Sequence, residues 1–567
     1  MYILGIWDGH DSGAVLIHND LIIFAANEER YTKRKLEVSF PSNSIKAALE
    51  FAQIKPAEVN VVAFPTAEFT KTISRIFPWQ KESYYRFRRR KMLKPRHESL
   101  MRFTKYSMTT IGVLPGCRVI SKGAIRRELR HLGFENPELY CANHHASHAA
   151  TAAYTSGFKR AAVITMDGLG DGESCTISDF SDGRLEKRHS ISARNSIGVF
   201  YEQATNIVGM RELEDEGKVM AMAEYSYPFT FEENKLKDFF SIKGTEITAK
   251  YGPVRQYDML NRLAWSMPRE QFSYMVQQLL EHVAVELVRN YSEESGSRSF
   301  AFAGGIMSNV KLNMRIKDLD VVKEHFVFPH MGDGGIALGA AMVANHELNG
   351  ISSYDFRDAY LGNSYSDEQI LESLRQNGRL KYEIDADKHS HAAEIIGDGE
   401  YLFWFQDRME YGPRALGNRS ILASADSSSA KDMLNIYVKH REWYQPFAPS
   451  MLEEEAVKAL EGVKSRDRFM TTAYKVKGAY AEQMRSVVHI DMTARPQMLG
   501  NENRSYRALI EALKKKTGCG VVLNTSFNIH GMPIVLSPAD AIETMEKTKT
   551  RYMFIGDYFV ENKAAKK

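Results

Sequence analysis

Two histidines one helical turn apart, together with two distant aspartates, are the residues of this chain best suited to chemistry. His144 and His148 stand four positions apart in NHHASHAATAAY, an Ala-rich stretch whose composition predicts a helix. That spacing puts both imidazoles on one face, where they can share a single ion. Asp167, in VITMDGLGDGES, and Asp333, in FPHMGDGGIALGAA, each follow an apolar run and are expected in Gly-rich turns. Two imidazoles and two carboxylates form a mixed nitrogen and oxygen set that suits Fe(II), Zn or Mn, unlike the thiolate set of a zinc finger. The turns themselves offer backbone N–H groups to phosphate. A metal beside phosphate-binding loops points to nucleotide chemistry. His145 falls off the ligand face and is not counted in the set.

A further imidazole, His10, sits in the first loop between Asp8 and Asp11. Near neutrality such a group is a natural base for the proton of a hydroxyl. The plainer alternative is that His10 only shapes the turn or meets phosphate. Cations gather in a different part of the chain. Arg408, Arg414 and Arg419 are spaced through the turn-rich text FQDRMEYGPRALGNRSIL, followed by Lys439 and Arg441 in YVKHREWYQPFAPSM and Arg495 in DMTARPQ. Guanidinium forks match the paired oxygens of phosphate and carboxylate. Ser526 and Asn528, in LNTSFNIHGMPIV, add hydrogen-bond donors at the end of an apolar strand. Lys35, in EERYTKRK, reads equally as a phosphate contact or as part of a surface patch.

The elements that must carry these groups are legible as runs and breaks. YILGIW, GAVLIH and LIIFAANEE are separated by DGHDSG and ND, which predicts a three-strand meander with a phosphate-sized first loop. A strand, an Asp-Gly loop and a second strand recur at 161–178, which suggests a duplicated fold. FAFAGGIMSNVKLNMRI predicts a strand, a Gly pair and a helix, and the helix after GDGG can direct its N-terminal N–H groups at an anion. Near 346–362 the text turns polar and a new helix and strand rhythm begins. The boundary is set there, giving domains 1–352 and 353–567, both α/β. Within the second, EYLFWFQ and TGCGVVLNTSF predict buried strands, and 368–376 and 539–547 predict helices. The basic, aromatic segment 84–106 could meet RNA or an acidic partner, but a charge run of this kind is better read as a solvated helical insertion or lid.

Composition narrows the class. With 567 residues, 44% hydrophobic and 26% charged, the chain can bury more than one core. A formal charge of +3 gives no general reason to expect nucleic acid. The cysteines Cys117, Cys141, Cys175 and Cys519 form no C-x-x-C pair, so neither a disulfide framework nor a zinc finger is expected. No apolar run approaches a membrane span and the start lacks the pattern of a signal peptide, so a reducing, cytoplasmic location is expected.

The duplicated Asp-Gly loops, AGGIMSN and GDGG resemble the actin/sugar-kinase ATPase fold, and the HxxxH pair with two later aspartates resembles its metal-binding branch. DGHDSGAVLI, NEERYTKRKLEVSFP, NHHASHAA, MDGLGDGE and AGGIMSNVKLN closely resemble the NodU/CmcH/TobZ O-carbamoyltransferases, over essentially the whole chain. One departure stands out: after EGKVMAMAEY the family continues with a Gly-containing turn, whereas this chain reads SYPFTFEEN. The resemblance implies that His144, His148, Asp167 and Asp333 hold one metal, usually Fe(II), against the phosphates of ATP. It implies that Gly304, Gly305 and Asn309 hold the nucleoside end, with Lys218 a further ATP contact, and that His10 is the catalytic base. For the second domain it implies a YrdC-like fold that binds carbamoyl phosphate through Arg414, Lys439, Arg495 and Ser526, supported by Arg419, Arg441 and Asn528. The expected activity is formation of carbamoyl-AMP from carbamoyl phosphate and ATP, then transfer to a hydroxyl of a small-molecule acceptor. Because that adenylate hydrolyses readily, a water-excluding cavity is expected. The competing readings are a threonylcarbamoyl-adenylate enzyme acting on tRNA and a nucleotide-binding regulator without catalysis. A hydrogenase-maturation carbamoyltransferase fits less well, since no C-x-x-C module precedes the fold.

Overall fold

A computed structural model describes residues 1–91, 104, 107–108, 110–439 and 441–563 of the chain. Positions 92–103 and 105–106 of the basic segment lie outside the described residues. The fold is mixed α/β, in two compact units: residues 1–28 with 36–356, and residues 29–35 with 357–567.

In the first unit, the opening apolar runs form the strands Tyr2–Trp7, Gly13–His18 and Leu21–Asn27, paired antiparallel as a meander. Val59–Phe64 and then Glu138–Cys141 extend this sheet in parallel beside Tyr2–Trp7. A second sheet repeats the plan. Arg160–Gly170, Glu173–Ser181 and Arg184–Ser192 form the meander, and Ser299–Ala303 and Glu324–Val327 add in parallel beside Arg160–Gly170. Both sheets therefore have one strand order, which is the structural form of the repeat in the sequence.

Small residues let the two site-bearing helices meet. A β-carbon on Gly339, in helix Ile336–Asn349, would stand 1.9 Å from the Ser147 carbonyl oxygen of helix His144–Thr155. A side chain there would force the helices apart. The start of the basic segment differs from the solvated helix expected of it. Helix Pro78–Arg88 buries Lys81, Tyr85 and Arg88; a backbone carbonyl receives Lys81 and carboxylates receive Arg88. Arg88 Nε donates to Glu212 Oε2 at 2.8 Å and its Nη2 pairs with Glu202.

The second unit is built on an eight-stranded mixed sheet. Its strand Leu402–Phe405 shows why continuous apolar runs occur here. Phe403 and Phe405 join a core cluster with Ile370, Leu374, Ala541 and Met545, while Leu402 and Trp404 join another with Ala392, Ile396, Tyr506 and Leu509. Helices Asp367–Asn377 and Pro538–Thr548 thus cover one face, and Lys388–Gly397 and Arg504–Thr517 the other. A strand buried on both faces has no polar alternation to show.

The chain divides at Phe356 and Arg357, a few residues beyond the expected boundary, and segment 29–35 belongs to the second unit although the sequence reading assigns it to the first domain. Side-chain bonds hold it there: Arg30 Nη2 donates to the Gly412 carbonyl at 2.8 Å, Tyr31 Oη to Asn363 Oδ1 at 2.6 Å, and Lys33 pairs with Asp540. Among the described residues, no helix is long and apolar enough to cross a membrane.

Candidate functional site

Helix His144–Thr155 is started by Asn143, whose side chain accepts from the Ala146 N–H at 2.9 Å. Asp171 completes the start: its Oδ2 accepts from the His144 N–H at 2.8 Å and from Asn143 Nδ2 at 2.9 Å. The helix presents His144 and His148 to Asp167 and Asp333. One ligand atom from each of these four buried residues lies within 4.8 Å of the other three. Asp333 comes from a tight turn, as expected, but Asp167 lies within strand Arg160–Gly170, where the pairing register breaks between Met166 and Gly170. The break turns its carboxylate to the cluster. Two close approaches require glycine. Gly304 has φ +100° and a β-carbon would meet the Met166 carbonyl oxygen at 2.2 Å, while on Gly170 it would strike the His144 ring, also at 2.2 Å.

The donor spacing fits an ion better than it fits hydrogen bonds. His144 Nε2 is 3.4 Å from Asp167 Oδ2 and 3.6 Å from Asp333 Oδ1, and His148 Nε2 is 3.6 Å from Asp333 Oδ1. Those distances exceed the usual 2.7–3.2 Å of N–H···O bonds. Ligands about 2.1 Å from a shared tetrahedral centre stand about 3.4 Å apart. His148 Nε2 is buried with no hydrogen-bond partner, so it is available as a ligand. Without an ion, burial works against a charged His144, yet Asp333 and Asp167 outweigh it and push its pKa up to about 9. Asp333 is held down to about 2 against the effect of burial, by His10 and His144. His145 turns away, its Nδ1 meeting Thr165 Oγ1 at 2.7 Å.

His10 borders this cluster. Its Nδ1 is 3.5 Å from Asp333 Oδ2 and 3.3 Å from the Tyr85 hydroxyl. Burial, then Lys71, Arg89 and Arg88, push its pKa down to about 3 although Asp333 opposes them, so the ring is neutral with a free lone pair at ordinary pH. Gly305 joins the site through its N–H, which donates to Asp167 Oδ1 at 2.8 Å. Asn309 has local duties: Oδ1 caps helix Val310–Lys317 by accepting from the Leu312 N–H at 3.0 Å, and Nδ2 donates to Gln277 Oε1 at 2.8 Å. Lys218 pairs with Asp215 at 3.0 Å.

A distinct cluster lies in the second unit. Lys439 Nζ donates to Asn528 Oδ1 at 2.6 Å, to the Asn528 carbonyl at 3.1 Å and to the Ser526 carbonyl, which gathers three of the expected residues. Arg441 Nη2 reaches Thr525 Oγ1 at 3.4 Å. Burial lowers the pKa of Arg414 to about 10 and, with Arg414 beside it, that of Arg441 to about 10. Arg495 is depressed further by burial, Arg414 and Arg441. Lys439 is depressed by burial and then by Arg441 and Lys35, which associates the segment 29–35 with the same group. Like charges held together out of water call for an anion.

Two arginines of the motif do other work. Arg419 is fully buried, with Nη1 donating to the Asn418 carbonyl at 2.9 Å, Nη2 to the Asp407 carbonyl at 3.1 Å, and its guanidinium 3.6 Å from the Phe405 ring centroid. It braces the loop that carries Arg414. Arg408 likewise donates to the Leu361 and Gly362 carbonyls at 2.6 and 3.2 Å. Sequence reasoning missed Glu410, whose Oε1 accepts from the N–H groups of Leu416, Asn418 and Arg419 at 2.7, 2.8 and 3.1 Å and so shapes the loop that carries Arg414. The signal for it was a carboxylate just before a Gly/Pro turn in arginine-rich text. Asp171, Lys71 and Tyr85 were missed as well, because only distant contacts reveal them.

The family models described as Carbamoyltransferase N-terminus and Carbamoyltransferase C-terminus match residues 2–342 and 393–562. The chain belongs to the carbamoyltransferase family. It is thus an enzyme of the carbamoyltransferase type. An uncharacterized protein of Methanocaldococcus jannaschii is 36% identical over 78% of this chain and 76% of its own length. The nodulation protein NolNO of Sinorhizobium fredii is 29% identical over 98% of this chain and 79% of its own. The 3'-hydroxymethylcephem-O-carbamoyltransferase of Streptomyces clavuligerus is 32% identical over 45% of this chain and 47% of its own. The two-His, two-Asp cluster and His10 fall in the stretch matched by the N-terminal carbamoyltransferase model, and the cationic cluster in the stretch matched by the C-terminal one.

Proposed function

We propose that this carbamoyltransferase family member is an ATP-dependent O-carbamoyltransferase working in the cytoplasm. In this reading the first unit is an actin/sugar-kinase-like ATPase fold, supported by the shared strand order of its two sheets. The second is YrdC-like. The cluster of Arg414, Lys439, Arg441 and Arg495, with Ser526 and Asn528, binds carbamoyl phosphate by neutralising its phosphate oxygens. Phosphate leaves on hydrolysis, and an oxygen of the carbamate attacks the α-phosphorus of ATP, giving carbamoyl-AMP and pyrophosphate.

In the first unit, His144, His148, Asp167 and Asp333 hold a divalent ion, Fe(II) in this proposal, which supplies positive charge to orient phosphate oxygens. Gly304 and Gly305 let the nucleotide approach the backbone closely. The acceptor hydroxyl oxygen attacks the carbamoyl carbon, the bond to AMP breaks, and the hydroxyl proton passes to His10. With Nδ1 facing Tyr85 and Asp333, Nε2 is the atom that receives it. The ring is neutral at ordinary pH, which leaves that nitrogen open to the proton.

The observation that carries the reading is the presence, in one carbamoyltransferase-family chain, of a buried two-His, two-Asp cluster and a buried cluster of cations that depress one another's pKa. The test is pyrophosphate and AMP release by purified protein given ATP, Fe(II) and carbamoyl phosphate. Release that depends on carbamoyl phosphate is expected. Release that instead needs threonine and bicarbonate, or none under either condition, would overturn the proposal.

A further inference from the structure

Helix Phe69–Ile76 and helix Pro78–Arg88 form a hairpin over the first loop, and the hairpin is fixed at several points. Arg75 makes a two-pronged pair with Asp8, Nε to Oδ2 and Nη2 to Oδ1, both at 2.8 Å, and its Nη1 donates to the Thr66 carbonyl at 2.8 Å. Lys81 Nζ donates to the Asp8 carbonyl, and Arg88 is held by Glu202 and Glu212. Buried, charge-paired anchors of this kind leave the hairpin little freedom.

Lys71 lies one turn before Arg75 on the first helix of the hairpin. Its ammonium is 4.4 Å from the centroid of the Trp7 ring and donates to the Tyr85 hydroxyl at 3.2 Å. Tyr85, 6% exposed, meets His10 Nδ1 at 3.3 Å, and Trp7 Nε1 donates to the His10 carbonyl at 2.7 Å. Among the described residues, Lys71 has no carboxylate within ion-pair distance, in contrast to Arg75 and Arg88 on the same hairpin. A partly buried cation that faces an indole and a phenol, with its carboxylates beyond contact, can take an anionic oxygen directly. Burial opposes its charge, but Tyr85, Asp333 and Glu68 raise its pKa, so it stays protonated.

We propose that Lys71 is a substrate-contacting residue whose ammonium binds an anionic oxygen of a nucleotide-linked ester beside His10, and that Tyr85 is a positioning residue joining Lys71 to the His10 ring. In the transfer step the negative charge appears on the leaving phosphate, and a fixed ammonium there favours the transition state without reorganisation. Tyr85 holds the His10 ring by Nδ1 and so directs Nε2 to the acceptor. The inference rests on the carbamoyl-transfer reading only for the identity of the ester.

The probe is AMP, titrated calorimetrically into the Fe(II)-loaded full chain. Lys71→Met keeps the apolar stem over Trp7 and removes the charge. It should weaken AMP at least about tenfold, the effect of one charge-assisted hydrogen bond, and Lys71→Arg should recover most of that loss. Tyr85→Phe should lower kcat for carbamoyl-phosphate-dependent AMP formation about tenfold, with KM for ATP unchanged. Equal AMP affinity in wild type and Lys71→Met, or loss of iron from Lys71→Met, would overturn the assignment of Lys71. An unchanged kcat, or a KM change alone, would overturn that of Tyr85. Wild-type protein without carbamoyl-phosphate-dependent turnover would defeat the transfer reading and with it the role of Tyr85, while the AMP titration still decides Lys71.

Discussion

Replacing Arg414 by Met should stabilise the fold and weaken carbamoyl-phosphate binding in the same variant. Burial lowers the pKa of Arg414 from 12.5 to about 10, and among the described residues no carboxylate offsets it. The sign follows from the direction. A cation whose folded pKa is depressed destabilises the fold wherever it is protonated, here at all pH below about 10. The full shift corresponds to at most about 3 kcal/mol at 1.36 kcal/mol per tenfold. Partial exposure of the side chain brings this to about 1–2 kcal/mol by solvent screening. Arg441 and Arg495 each lose a like-charged neighbour in addition. Methionine retains the apolar stem, so little packing is lost. For a unit of this size, an apparent Tm higher by roughly 2–6 °C is expected in phosphate-free buffer. Carbamoyl phosphate should raise Tm in wild type and do so much less in the variant. A variant no more stable than wild type, or one still stabilised to the wild-type extent by carbamoyl phosphate, would refute the argument that unpartnered charge at this site is kept for an anion.

Three other outcomes are expected. The double change His144→Ala and His148→Ala should abolish bound metal, measured by mass spectrometry of dialysed protein, while far-UV circular dichroism is retained. In metal-free protein, the pKa of His144 near 9 against an ordinary 6.5 means stabilisation present below pH 6.5 and lost as pH rises through about 9. Metal uptake below pH 9 should then release a proton, seen as affinity rising about tenfold per pH unit between 7 and 9. Glu410→Ala should destabilise the second unit by about 1–3 kcal/mol in a denaturant titration, since three backbone N–H groups lose their acceptor.

The sequence by itself determined what depends on neighbours a few positions away. The HxxxH spacing specifies one helical face, glycine runs specify where backbones come close, and the recurring strand, loop and strand text specifies a sheet order that appears twice. These are local properties, set by hydrogen-bond geometry over one turn or one hairpin. What only the tertiary structure decided is which charges find partners. Arg414 and Arg419 share a motif, yet Arg419 is tied to carbonyls and an aromatic ring while Arg414 is left to the cationic cluster. Arg75 finds Asp8 across 67 positions, while Lys71, four residues earlier on the same helix, meets the Tyr85 hydroxyl and, among the described residues, no carboxylate within ion-pair distance. Segment 29–35 is likewise contiguous with one unit and packed in the other. An arginine has the same local signature whether it braces a loop or awaits a ligand. The distinction lies in contacts between elements far apart in the chain, which spacing alone does not encode.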